Sequence, residues 1–264
     1  MKPHAGELSA LADRVGMTAA SLVLRRLASP APGVEYEVAV NPVAALAAAS
    51  MIKVPIGAAL SRLWLEGIRG REDQVVIRET NMTDNDGASP LVPGYPARLD
   101  ELGWLMLTRS DNVATNTLID VIGRDRATSF ARSWGLVNTV IRRKLSGSLP
   151  LIDDPDSQGR NAHPAGDAAL LFTRIAESTV PGSAWLREAL GAQEFNTKLS
   201  GGLTEGDRFA HKTGDTDEVS HDGGILDLAN GARFVLVVYT ALPSSPENDA
   251  RFARFMCALR PQLS

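Results

Sequence analysis

The residues Ser50-Met51-Ile52-Lys53 pair a potential nucleophile with a potential base. If a helix begins here, a serine and a lysine three residues apart lie on one face. The serine oxygen then sits at the positive end of the helix, where developing negative charge is favoured. A lysine that is partly desolvated and close to other cations can give up its proton and serve as the base. Pro55 fits the first helical turn, where a missing backbone donor costs little. Alone the pair carries little weight: with 19 serines and 5 lysines in the chain, about 0.4 such pairs arise by chance.

Two further triplets supply complementary chemistry. Ser110-Asp111-Asn112 falls in a polar step between two apolar-rich segments, 99–107 and 113–122. A hydroxyl there can relay a proton to a leaving nitrogen, and an amide can hold both a substrate carbonyl and the lysine. Asp111 reads as the N-cap of the following helix. Lys212-Thr213-Gly214 ends a strand-like run and follows His211. Lys212 places positive charge where a substrate carboxylate would dock, Thr213 can hydrogen-bond it, and Gly214 lets a substrate approach the strand edge. Each triplet also has an ordinary reading, as a helix cap or a strand end before a turn.

The elements that must position these residues show in the apolar pattern. Residues 5–15 read as a helix. Residues 21–24 and 34–40 read as strands, the second with period two, and Pro30, Pro32 and Gly33 mark the turn between them. From Ser50 to about Gly191 the pattern is mostly helical, with a stop at Gly123, an irregular stretch over 144–166 and a helix over about 164–177. Strands return at 208–213, 223–228 and 233–241, the last two joined at Asn230-Gly231, a type I′ hairpin signal. Residues 246–259 read as a closing helix. Strands at both ends and helices between predict an α+β fold. One antiparallel sheet lobe with terminal helices takes residues 1–48 and 192–264, and an inserted all-helical lobe takes residues 49–191.

Composition bounds the rest. At 264 residues and 44% hydrophobic the chain can bury a large core. A net charge of −4 speaks against nucleic acid as a partner, and no apolar run reaches the length of a membrane span. The polar start, Met1 to Leu8, shows no secretory signal. The expectation is a cytoplasmic monomer as written, or a periplasmic or secreted protein if a leader has been removed. Cys257 stands alone, so no intrachain disulfide forms, and it reads as a small buried hydrophobe on the last helix. His4, His163, His211 and His221 lack metal-ligand spacing, and neither metal nor cofactor is expected.

The three motifs in this order and context are the signature of class A β-lactamases and penicillin-binding proteins. The chain resembles class A β-lactamases and the broader β-lactamase-related serine hydrolases over nearly its whole length, most closely at 105–116 and 209–214. The resemblance implies a β-lactamase/transpeptidase-like fold and an acyl-enzyme formed on Ser50. It implies Lys53 and Ser110 as the other catalytic groups, with Asn112, Lys212, Thr213, Gly214 and Asp215 around the substrate. A β-lactam is the first substrate it implies, with antibiotic resistance as the consequence. An ester or a D-Ala-D-Ala peptide is a second, and a single acylation without turnover a third.

The chain departs from the family in three places. Class A enzymes carry a glutamate on the loop after the Ser-Asp-Asn region that positions the deacylating water. The corresponding stretch here, 139–149, holds no glutamate and places Leu145 at that position. Asp153, Asp154 and Asp156 are the first acids after it and are candidate replacements, although their composition reads as a solvated loop. Asp215 follows Gly214, and its backbone N–H would complete an oxyanion hole with that of Ser50, so its carboxylate must point away. Where the family often carries an arginine for the substrate carboxylate, the run here is Val219-Ser220-His221-Asp222. His221 reads as a structural histidine bonded to Asp222.

Overall fold

The strand over residues 233–240 alternates strictly. Val235, Val237 and Tyr239 enter one apolar cluster, and Phe234, Leu236 and Val238 enter a second. Successive side chains of a strand point to opposite faces, so a strand apolar at every position must lie inside a sheet covered on both sides. The computed structural model, which describes residues 3–29, 31–85, 87–146 and 159–263, has that arrangement. In chain order the elements are α1 (Ala5–Arg14), β1 (Ser21–Leu27), β2 (Val34–Val40), a 3₁₀ turn (Ala49–Ile52) and α2 (Lys53–Leu65). There follow β3 (Gln74–Val76), β4 (Pro96–Arg98), α3 (Leu99–Thr108), α4 (Asn112–Ile122), α5 (Arg124–Ser133), α6 (Ala165–Ala176) and α7 (Ser183–Gly191). A 3₁₀ turn (Leu199–Gly202), β5 (Arg208–Asp215), β6 (Ser220–Asp227), β7 (Arg233–Thr240) and α8 (Pro246–Leu259) complete the chain.

The five-stranded sheet runs β2-β1-β7-β6-β5 with every neighbour antiparallel. One face packs on the helical middle of the chain through Val23, Ile225 and Val237. The other packs on α1 and α8 through Leu8, Leu11, Phe252, Phe255 and Met256. The fold is β-lactamase-like, with an antiparallel sheet and, among the described residues, eight α-helices. It leaves β5 at the sheet edge, beside the turn that opens α2. Among the described residues no helix is long and apolar enough to cross a membrane.

Three details differ from expectation. β3 and β4 form a small separate hairpin inside the stretch read as helical. The turn between β6 and β7 is not type I′: Gly231 N–H bonds Leu228 O at 2.9 Å, and Gly231 alone in the turn has positive φ, +86°. A tight turn with Ala229 and Asn230 at its centre and glycine after it is the bulged form of hairpin. Cys257 is exposed, because α8 turns Phe252, Phe255, Met256 and Leu259 to the core and residue 257 lies off that face.

Candidate active site

Ser50 lies in the 3₁₀ turn Ala49–Ile52, and Lys53 opens α2 directly behind it. The first backbone N–H groups of such a unit have no partner within the helix, so the Ser50 N–H is one of the donors left over there. Ala49 enters the turn at φ +45°. A non-glycine residue in that region costs about 1–3 kcal/mol, and such strain concentrates at functional sites. Ser110 is held the same way, at φ +56°, between α3 and α4. Asp111 caps α4 by accepting from the Ala114 N–H at 2.8 Å, which fixes the sharp step on which Ser110 rides.

Lys53 is fully buried. Its Nζ lies 2.5 Å from the Ser110 carbonyl oxygen, 3.0 Å from Ser110 Oγ and 2.7 Å from Asn112 Oδ1. Lys212, also fully buried, reaches the same Ser110 Oγ at 3.0 Å and the Thr213 carbonyl at 2.9 Å. One hydroxyl therefore joins the two lysines and brings the three motifs together, although 57 and 102 residues separate it from its partners. A serine hydroxyl has two acceptor positions and one donor. It can accept from both amines and still hand its own proton onward.

Gly214 sits in tight space. A Cβ there would stand 3.0 Å from Met51 Cγ, 3.1 Å from Met51 N and 3.2 Å from Ala49 Cβ, so β5 lies directly against the turn bearing Ser50. The Thr216 N–H turns toward β6, donating to Val219 O at 2.9 Å. Adjacent N–H groups alternate sides along a strand, so the Asp215 N–H faces the free edge of β5. Its carboxylate points away, as expected if that N–H serves an oxyanion. Both oxygens meet Lys198 Nζ, at 2.7 and 2.6 Å, and Ser220 Oγ donates to one of them at 2.9 Å.

These elements border a cleft of about 690 Å³ whose lining includes Ser50, Asn112, Asp215 and Leu145. Leu145 is held by a residue that the sequence reading did not single out. The Asn116 amide donates to Leu145 O at 2.9 Å and accepts from Leu145 N at 2.7 Å. The clue was its place one helical turn beyond Asn112, on the same face of α4. Asp153, Asp154 and Asp156 lie outside the described residues. Of the described acids at the cleft, Asp215 is paired with Lys198 and Glu218 with Arg160.

The two histidines near the site are structural. His221 donates from Nε2 to Ala47 O at 2.8 Å, accepts the Thr240 N–H at its Nδ1 and stacks on Tyr239. Burial pushes its pKa down to about 4, so it is neutral and offers no charge to a substrate carboxylate. Its expected partner, Asp222, instead bonds His211 Nδ1 at 2.7 Å and the Leu199 N–H at 3.0 Å. The reason is the pleat: neighbours 221 and 222 point to opposite faces of β6, while 222 shares a face with the diagonal residue 211 of β5.

A model of the β-lactamase enzyme family matches residues 7–256. Similar solved structures include a β-lactamase from Sphaerobacter thermophilus, at 25% identity and TM-score 0.82, covering 97% of this chain and 96% of that one. PBP-A is similar at 28% identity and TM-score 0.82, over 99% of this chain and 98% of its own. A leucine-to-glutamate mutant of PBP-A, solved as an acyl-enzyme complex with penicillin G, matches at 27% identity and TM-score 0.81, over 99% and 100%. No curated protein matches the sequence. With the family model spanning nearly all of it, this chain belongs to the β-lactamase enzyme family and is a serine hydrolase of that fold.

Proposed function

We propose that the chain is acylated on Ser50 by β-lactams and releases the product slowly. The observation that carries this reading is the Ser110 hydroxyl shared by Lys53 and Lys212, beside a cleft that Ser50 lines. Lys53 takes the Ser50 hydroxyl proton as Ser50 Oγ bonds the lactam carbonyl carbon. The Ser50 and Asp215 N–H groups receive the oxyanion. As the ring C–N bond breaks, the proton passes from Lys53 through Ser110 Oγ to the leaving nitrogen, which closes the balance. Lys212 and Thr213 hold a substrate carboxylate. Asn112 donates one amide hydrogen to Asp84 O at 2.8 Å and keeps the second for a substrate carbonyl.

Deacylation needs a water activated on the open side of the acyl-enzyme, and Leu145 offers no base there. The acyl-enzyme complex of the leucine-to-glutamate mutant of PBP-A with penicillin G is a parallel for the covalent step. The same leucine favours a second reading, in which an ester or a D-Ala-D-Ala-type peptide is the substrate that turns over and the β-lactam only labels. The deciding experiment is intact-mass spectrometry after mixing with benzylpenicillin, followed over time, beside assays with nitrocefin and p-nitrophenyl esters. Wild type should gain one equivalent of mass, Ser50→Ala none, and Lys53→Ala should gain it at least about 10²-fold more slowly. Labelling that persists in Ser50→Ala sinks the proposal. Fast release of esters with persistent β-lactam adducts selects the second reading.

A further inference from the structure

A carboxylate immediately after Gly214 endangers an oxyanion site. The Asp215 N–H faces the cleft edge of β5, and a carboxylate turning the same way would oppose the charge that develops on the substrate. The side chain is instead drawn to the opposite side by Lys198, which is 2% exposed. The Lys198 ammonium makes a third contact, to His221 O at 3.1 Å, and lies 5.4 Å from the centre of the Phe252 ring on α8. Its backbone is held as firmly. It enters the 3₁₀ turn Leu199–Gly202, in which Leu199 N–H bonds the buried Asp222 carboxylate. A Cβ on residue 202 would stand 2.2 Å from Ala253 O, so this turn lies tight against α8.

We infer that Lys198 is a positioning residue for acyl transfer: it holds the Asp215 carboxylate away from the cleft, so that the Asp215 amide can serve the oxyanion. This rests on the proposed acylation of Ser50. Lys198 bonds Asp215 and not Ser50, so its part in acyl transfer runs through Asp215; its other ionic neighbour is Asp249, at 4.0 Å. Ser220, which donates to the same carboxylate, is the auxiliary anchor.

The test is the second-order rate of acylation by benzylpenicillin in wild type, Lys198→Met and Lys198→Met/Asp215→Asn, with folding checked by circular dichroism. Lys198→Met should acylate at least about tenfold more slowly, short of the roughly 10²–10³-fold cost of losing an oxyanion donor outright. Adding Asp215→Asn should recover most of that loss, because an amide need not be restrained; a merely structural lysine would not be rescued in this way. If the methionine variant does not fold, Lys198→Gln, which keeps a donor but no charge, is compared with its own Asp215→Asn double variant and read identically. An undiminished rate in the folded single variant, or a loss that Asp215→Asn does not relieve, overturns the inference. Wild type that takes no label at all would instead reject the proposed function.

Discussion

On the proposed mechanism, Leu145 is where one side chain sets the rate of release. Asn116 grips its backbone from both sides, so its position at the cleft wall is fixed whatever side chain it carries. An isobutyl group cannot accept a proton from water, and general-base help is worth about 10²–10⁴ in rate. β-Lactams should therefore give a burst of about one equivalent and then slow release, the fingerprint of acyl-enzyme accumulation. Leu145→Glu should speed decay of the adduct at least about tenfold, read by mass spectrometry as the return of free enzyme. A glutamate variant that labels normally and decays no faster would place the water on another path. Fast turnover by wild type, slowed by Asp153→Asn, Asp154→Asn or Asp156→Asn, would hand the role to that aspartate. The meeting of Lys53, Ser110 and Lys212 was legible in the order and context of their three motifs. Asn116 was not, because its task is to hold a backbone that approaches only in the folded chain.

At the scale of elements, strand β5 carries Lys212 to Ser110, and Gly224 on β6 sets its position. A Cβ at residue 224 would stand 2.2 Å from Ala210 O and 2.6 Å from His211 Cα, both on β5. Backbone atoms cannot rotate out of the way, so Gly224→Ala must push β5 outward. Overpacking of this kind costs about 1–3 kcal/mol or more. The variant should lose that stability in urea titrations and acylate more slowly, since Lys212 moves with its strand. Lost stability with an unchanged labelling rate would mean that β6 yields toward β7 and spares the site. The strand over 34–40 was readable from its period, and the sequence reading placed α8 at 246–259, where the structure has it. β3 and β4 were not: they have three residues each, lie far apart in sequence, and one begins with proline. Pairing across such a gap leaves no local pattern.

The molecule as a whole holds two buried neutral histidines, which predicts its response to acid. Burial lowers the pKa of His163 to about 3 and that of His221 to about 4. In the unfolded chain both titrate near 6.5. Between about pH 6.5 and 4 the unfolded state therefore binds protons that the folded state refuses, and stability falls as pH drops through that window. At pH 5 the loss is of the order of 2 kcal/mol for each histidine. Asp207, held below the usual carboxylate range by the Arg260 guanidinium, adds its own loss only at more acid pH. Urea unfolding at pH 7 and pH 5 should show a drop for wild type that is smaller in His163→Asn and in His221→Asn. Equal drops in all three would assign the acid sensitivity to other groups.

By itself the sequence named the candidate reactive groups and the order in which they occur. It also determined the sheet at the two ends of the chain, because period-two alternation and Ser-x-x-Lys spacing are local facts. It determined the lack of a glutamate at Leu145 as well, since an absent side chain needs no coordinates. Only the tertiary structure decided what those groups touch. Asp222 pairs with His211 rather than with its neighbour His221 because a pleat separates adjacent side chains and joins diagonal ones across strands. Cys257 faces outward because α8 spends its inner stripe on larger apolar residues. Lys198 and Asp215 find each other across 17 residues because β5 and the turn before it fold over α8, and no spacing rule along the chain records that meeting.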